Sequence, residues 1–350
     1  MKRSQTLFAG TVVCLFALLP GCANSGSASA TIDPAMLKAY APLPEVANGK
    51  EPITGEKVAL GRMLYYEARL SKSQKISCNS CHDLANYGVD NQPTSDGHKG
   101  QKGDRNSQTV YNAALHFVQF WDGRAKDVEE QAKGPVLNPV EMAMTSDKQV
   151  IAVLKSMPEY VDAFKKAFPD DKDPVTYDNM GKAIGAFERK LITPSRWDKF
   201  LKGDQTALTA EEKAGFHTMV ASGCQTCHAG ALLGGNMYQK IGMVKPWPDT
   251  SDPGRSKVTK NEADKFMFKV PSLRNIEKTG PYFHDGKIAT LKEAIAKMSE
   301  YQVGKTLSDA DIQSIEAWMK SLTGEIPADY IKRPELPKST NKTPKPSEAD

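Results

Sequence analysis

Apolar residues recur every three or four positions in several separate stretches, the spacing of helices that bury one stripe. Residues 54–67 carry Leu60, Met63 and Leu64 on such a stripe. Residues 147–168 carry Val150, Val153, Leu154, Tyr160 and Phe164. Residues 178–191 carry Ile184, Phe187 and Leu191, and Pro194 closes the unit. A second set begins with helix 209–221, where Thr209 precedes Glu211 and Glu212 as a helix-start signature. Helices 290–298 and 308–322 follow, the latter with Ile312, Ile315, Trp318, Met319 and Leu322 as its packing stripe. Two long segments, about 84–145 and 230–283, are rich in Gly and Pro and read as loops. Irregular segments of that length in compact domains tend to be functional. The pattern predicts an all-α chain of two tandem units with long loops, residues 36–194 and 195–325. Residues 326–350, Pro- and Lys-rich toward the end, read as a partly disordered tail.

Each unit holds one copy of the same five-residue motif. Cys78-Asn79-Ser80-Cys81-His82 lies in the first and Cys224-Gln225-Thr226-Cys227-His228 in the second. C-x-x-C-H is the attachment signature of c-type haem. Cysteines three apart share one face of a helical turn, so both sulfurs reach one porphyrin as thioethers. The adjacent histidine then turns its ring onto the iron. His82 and His228 are therefore the expected proximal ligands of two covalent haems, one in each cytochrome c-like domain. In such a domain the helix before the motif packs across the last helix.

The first residues point to export. Lys2 and Arg3 precede an apolar run from Leu7 to Leu19, too short to span a membrane. Residues 1–22 read as a signal peptide ending in a lipobox-like Leu19-Pro20-Gly21-Cys22, with Cys22 the lipidated residue and 23–35 a tether. A conventional cut near Ala30 is the alternative. Either route delivers the chain to the periplasm. Of six cysteines, Cys14 and Cys22 lie in the leader and four in the haem motifs, so none is left for a disulfide. The net charge of +4 falls to +2 once Lys2 and Arg3 leave, which is no footprint for nucleic acid.

An internal repeat extends beyond the motifs. Asn112…Phe120-Trp121-Asp122-Gly123-Arg124 matches Asn275…Phe283-His284-Asp285-Gly286-Lys287, with Asn nine residues before Trp121 and before His284. Fourteen residues further on, the second half has Met298 and the first has Pro135. A methionine thioether is a common sixth ligand of an electron-transfer haem c. The first haem lacks that methionine, so it uses another ligand or stays open. His98, in Asp96-Gly97-His98-Lys99-Gly100, is the leading candidate, with Tyr87 and His116 behind it. His116 and His217 otherwise read as packing residues.

Over about residues 40–330 the chain resembles the bacterial dihaem cytochrome c peroxidases. The resemblance rests on both CxxCH motifs, Phe-Trp-Asp-Gly-Arg at 120–124, Glu-Glu-Gln at 129–131, Asn-Pro-Val-Glu-Met at 138–142 and Pro-Tyr-Phe-His-Asp-Gly at 281–286. It implies His98 as the removable ligand of a peroxidatic first haem. It implies Glu141 as the acid–base residue, Gln131 as the amide beside it and Trp121 as the tryptophan between the haems. Met298 becomes the ligand of the electron-transfer haem, with His284 near that haem's edge. Asn106, Thr279 and Pro281 match groups that hold one calcium ion between the domains, the last two through carbonyl oxygens. The substrate implied is hydrogen peroxide, the donor a small cytochrome c or copper protein, and the assembly a homodimer.

The residues agree with those roles chemically. Heterolysis of peroxide needs a base that takes a proton from one oxygen and returns it to the other. Glu141, flanked by Val140 and Met142, suits that task if burial raises its pKa. Two other readings stand beside peroxidase. One is a dihaem electron carrier, against which Gln131 and Glu141 weigh. The other is a relative that oxidises a protein tryptophan, which carries tyrosine where Met298 stands; here Tyr301 lies one turn on.

Overall fold

The structure, a computed structural model, describes residues 31–50 and 52–347. The leader, Cys22 and residues 23–30 of the expected tether lie outside the described residues. The chain is mostly helical, 41% helix against 4% strand, in agreement with the all-α expectation. No helix among the described residues is long and apolar enough to cross a membrane. The strand content includes a short antiparallel ribbon, Tyr238–Lys240 with Met267–Lys269, inside the second long loop. An apolar run as short as Phe266–Val270 does not declare strand or helix by its periodicity.

Each unit is organised on one helix crossing. Gly55–Tyr65 packs across Tyr177–Glu188, and Ala210–Ala221 packs across Asp309–Lys320. Both crossings are tight at a glycine. A Cβ on Gly61 would sit 1.8 Å from the Ala183 carbonyl oxygen, and one on Gly215 would sit 1.9 Å from that of Ser314. The helix starts are fixed locally. Thr54 accepts a hydrogen bond from the Lys57 N–H, while Thr209 and Glu212 cap each other reciprocally. The expected helix over 147–168 is two helices, Asp147–Lys155 and Pro158–Ala167. Pro158 brings no N–H to continue a helix, but suits the first turn of a new one.

The repeat is visible in the backbone. Asn112 and Asn275 both sit near φ +60°, which asparagine tolerates. Asn112 N–H donates to Leu191 O at 2.8 Å, and Asn275 N–H donates to Leu322 O at 3.2 Å. Each thereby ties its long loop to the end of its unit's last helix. Their side-chain amides converge on one hydroxyl, Thr193 Oγ1, each at 2.9 Å. Thr193 is thus the buried joint of the two halves.

The cores obey the expected stripes, but both chain ends depart from the expected layout. Leu60, Leu64, Val150, Val153, Tyr160, Phe164, Ile184 and Phe187 share one core. Trp197, Phe216, Met219, Ile315, Trp318 and Leu322 share another. Ile32 and Tyr40 pack into the second core, although the first unit was expected to start at 36. Residues 326–347, expected to be partly disordered, instead run back over the first unit. Tyr330 stacks on Phe187 with ring centroids 5.1 Å apart, and Ile331 joins the first core. The rest of the tail buries little apolar surface and is held by hydrogen bonds, among them Thr340 Oγ1 donating to Ser156 O at 2.8 Å. Arg69 donates to Pro337 O and Gln74 to Pro344 O, both at 2.8 Å. The composition of the tail does not reveal this because its bonding partners belong to another part of the chain.

Candidate active site

Cys78–Cys81 forms a helical turn capped by Ser77 and Ser80, and His82 N–H closes it on Cys78 O at 3.0 Å. Tyr65, from the crossing helix, donates its hydroxyl to His82 O at 2.7 Å. The second motif forms a tighter turn at Cys224–Thr226, with His228 N–H on Cys224 O at 3.0 Å. His228 Nδ1 lies 2.9 Å from Leu233 O, a bond that leaves Nε2 free as a ligand atom. Burial holds both His82 and His228 below the ordinary histidine pKa, favouring the neutral imidazole that binds metal. Among the described residues the four motif cysteines form no disulfide.

Each motif opens into a cavity of about 570 Å³. The combination suits a covalently held haem: a roomy apolar slot, two thiols at its edge and a neutral imidazole. Beyond the motifs, the two cavities differ. The second is lined by His284 and Met298, the first by Gln131, Pro135 and Glu141. Tyr301 does not line the second cavity; its ring packs on Trp247 at 5.1 Å between centroids.

Glu141 sits in a loop held from two sides. Asn138 donates its amide to Glu141 Oε1 at 2.8 Å. His98 N–H lies 2.8 Å from Glu141 O and 3.1 Å from Val140 O, so the His98 loop is clasped to the Glu141 loop. The contact is close enough that a Cβ on Gly97 would overlap Val140 O at 1.9 Å. Burial raises the Glu141 pKa, against the opposing pull of Arg124 and the Asn138 bond. His98 is 4% exposed, and neither ring nitrogen has a partner. Its ring is not among the groups lining the first cavity, although Asp96 and Gly97 are. Tyr87 also stands off, with its hydroxyl toward Gly324 O at 3.3 Å. His217 meets Thr31 O at 3.1 Å and faces neither cavity.

Trp121 lines both cavities. Its Nε1–H donates to Asn106 O at 2.9 Å, and its ring meets His284 edge-on at 6.4 Å. Asn106, Thr279 and Pro281 all line the second cavity. Among the described residues no group of three His, Cys, Asp or Glu could hold a metal ion. A cation there would therefore rely on carbonyl and amide oxygens.

Two buried groups escaped the sequence reading. Glu188 lines the first cavity, with its carboxyl raised to about 8 by burial, the Glu129 charge adding and Arg189 opposing. The repeat contained the signal: Glu188 occupies the place of Met319, which lines the second cavity. Lys269 and His116 line both cavities, and Lys269 is the one charged residue in the run Phe266–Val270.

Comparison with known proteins places this geometry. The family described as di-haem cytochrome c peroxidase matches residues 55–206. The chain is 45% identical to cytochrome c551 peroxidase of Pseudomonas aeruginosa, over 99% of this chain and 100% of that one. It is 48% identical to cytochrome c551 peroxidase of Nitrosomonas europaea, over 84% of this chain and 87% of that one. It is 32% identical to methylamine utilization protein MauG of Methylorubrum extorquens, over 89% of this chain and 92% of that one. A solved MauG-like protein associated with microbial copper homeostasis shares 27% identity at a TM-score of 0.75, covering 83% of this chain and 97% of its own. With relatives this similar along its whole length, the chain belongs to the di-haem cytochrome c peroxidase family.

Proposed function

We propose that this protein reduces hydrogen peroxide to water with electrons from a small periplasmic redox protein. Electrons enter at the cavity of His228 and Met298, and peroxide reacts at the cavity of His82. The observation that carries this reading is the inequality of the cavities. One ends in a thioether, while the other has Pro135 at the matching place and a half-buried carboxyl, Glu141, in its lining.

Cys78, Cys81 and His82 would hold one haem, and Cys224, Cys227, His228 and Met298 the other. The bound irons supply the electron transfer and the site at which peroxide is reduced. Glu141 takes a proton from the oxygen that stays and returns it to the oxygen that leaves. Two electrons and two further protons complete two water molecules. Asn138 fixes the Glu141 carboxyl at Oε1, and Gln131 faces the same space. Trp121, in the wall of both cavities, lies between donor and acceptor sites. His98, whose ring lies outside the cavity lining, would serve as the removable ligand: its ring nitrogens are unpartnered, and its loop is tied by backbone bonds to the loop of Glu141. Calcium at Asn106, Thr279 and Pro281 would couple the halves, because Asn106 also bonds His284 O at 2.8 Å. The reading extends to export, with Cys22 as a lipid tether, and to a homodimer.

The test is peroxide-dependent oxidation of a reduced small cytochrome c, with calcium, by enzyme either oxidised or pre-reduced by one electron. The Glu141→Gln variant should lose about 10²–10⁴-fold in turnover while still accepting electrons from the donor. Full turnover in that variant would favour an electron carrier. Activity only after pre-reduction supports His98 as a ligand released when the second site is reduced, and the His98→Gly variant should then work without pre-reduction. Tryptophan oxidation is the second reading, but Met298 rather than Tyr301 faces the second cavity, which favours the peroxidase.

A further inference from the structure

The wall between the two cavities contains a cation without an anion. Lys269 is 1% exposed and lines both cavities. Its backbone N–H is fixed to Trp121 O at 2.7 Å. Its Nζ lies 2.8 Å from His116 Nδ1 and 3.3 Å from Val118 O. Among the described residues no carboxylate pairs with it. The nearby Asp122 is already engaged, by Arg105 at 2.6 Å and Arg124 at 3.1 Å. Burial accordingly pulls the Lys269 ammonium down to about 7, with Asp122 opposing only through space.

His116 continues the same pattern. With Nδ1 accepting from Lys269, the ring proton sits on Nε2. That Nε2 is buried and has no partner. An ammonium with one of its three donors unused and no counter-charge, and a ring N–H with no acceptor at all, are seldom left buried, because their desolvation goes uncompensated. The missing acceptor should come from whatever fills the cavities. A haem's anionic groups are its propionate carboxylates. Among the described residues, Lys269 is the only lysine or arginine lining the second cavity.

We propose that Lys269 and His116 form a carboxylate-binding site in the wall between the cavities, which holds haem propionates from both sides. The proposal rests on the reading that each cavity takes one haem. The bound carboxylates keep Lys269 charged, and His116 Nε2–H supplies a second donor. One positive charge then lies close to both haems and favours the reduced state of each.

The experiment is a spectroelectrochemical titration of the doubly loaded holoenzyme, comparing wild type with Lys269→Met and Lys269→Arg. In the Met variant both haems should become harder to reduce, each by about tenfold or more in its reduction equilibrium, or ~59 mV for one electron. The Arg variant should keep both potentials near wild type. A shift at one haem only, or at neither, overturns the shared site. Haem content separates this from the underlying reading: fewer than two haems in the wild-type protein would refute the dihaem assignment itself. Should the Met variant not accumulate, His116→Leu carries the test. Its redox infrared difference spectrum should show displaced propionate carboxylate bands, and unchanged bands would overturn the proposal.

Discussion

Glu188 yields a prediction whose size follows from its surroundings. It is 4% exposed, on the last turn of the Tyr177–Glu188 helix, and faces the first cavity. The adjacent arginine does not neutralise it, because Arg189 Nε is spent on Glu129 at 2.6 Å. Burial first, then the Glu129 charge, raise the Glu188 carboxyl from 4.5 to about 8. A haem in the cavity would remove more water and push the same way. The sign follows from proton counting. Between those pH values the folded protein keeps a proton that the unfolded chain has lost. Stability is complete below the unfolded value and declines as pH rises toward the folded one. At about 1.4 kcal/mol per pH unit, the whole window amounts to on the order of 5 kcal/mol. Glu188→Gln keeps the shape and removes the proton. The variant should match wild type near pH 5 and exceed it by ~3–5 kcal/mol at pH 8.5. Urea unfolding of the holoenzyme across pH 5–9 measures this directly. Parallel pH profiles for the two proteins would refute the reasoning, since the carboxyl would then be ionised or paired in the folded state.

Other expectations follow from single contacts. Gly215→Ala forces a methyl group against the Ser314 carbonyl and should cost about 1–3 kcal/mol, seen as a lower urea midpoint. Arg274→Met leaves Asp198 buried without its cation, since the pair lies 1% and 2% exposed at 2.6 Å, and should destabilise by about 3–5 kcal/mol. Asp198 is held low although burial works against it, because Arg274 and the N–H groups of Leu43 and Ser195 outweigh that burial; its stability is lost as pH falls through the folded value. The difference between wild type and Arg274→Met in urea should therefore shrink in acid. Met298→Leu should lower the potential of the second haem and abolish its thioether spectral signature, with the first haem unchanged.

The features legible in the sequence are those that depend on spacing along the chain. Two CxxCH turns require only five consecutive residues each. The helical stripes need only their own period. The unequal cavities could be read because duplication supplies an internal ruler: fourteen residues from Trp121 and from His284 give Pro135 and Met298. The same ruler, laid along the last helices, pairs Glu188 with Met319, yet a glutamate beside an arginine in a helix looks like an ordinary surface residue. Only the fold shows that Arg189 turns to Glu129 and leaves Glu188 facing the cavity. Lys269 poses the harder case. Its role depends on a strand pairing, on a histidine 153 positions away and on a second cavity behind it. The tail is similar, since its anchors are Arg69, Gln74 and Phe187 rather than anything within it. The CxxCH turns that open into each cavity are local and repeated, whereas the charged groups between the cavities come from both halves at once. Duplication made the first kind predictable. The second kind arose where the two copies meet, at Thr193, Trp121 and Lys269, and there the copies no longer resemble each other.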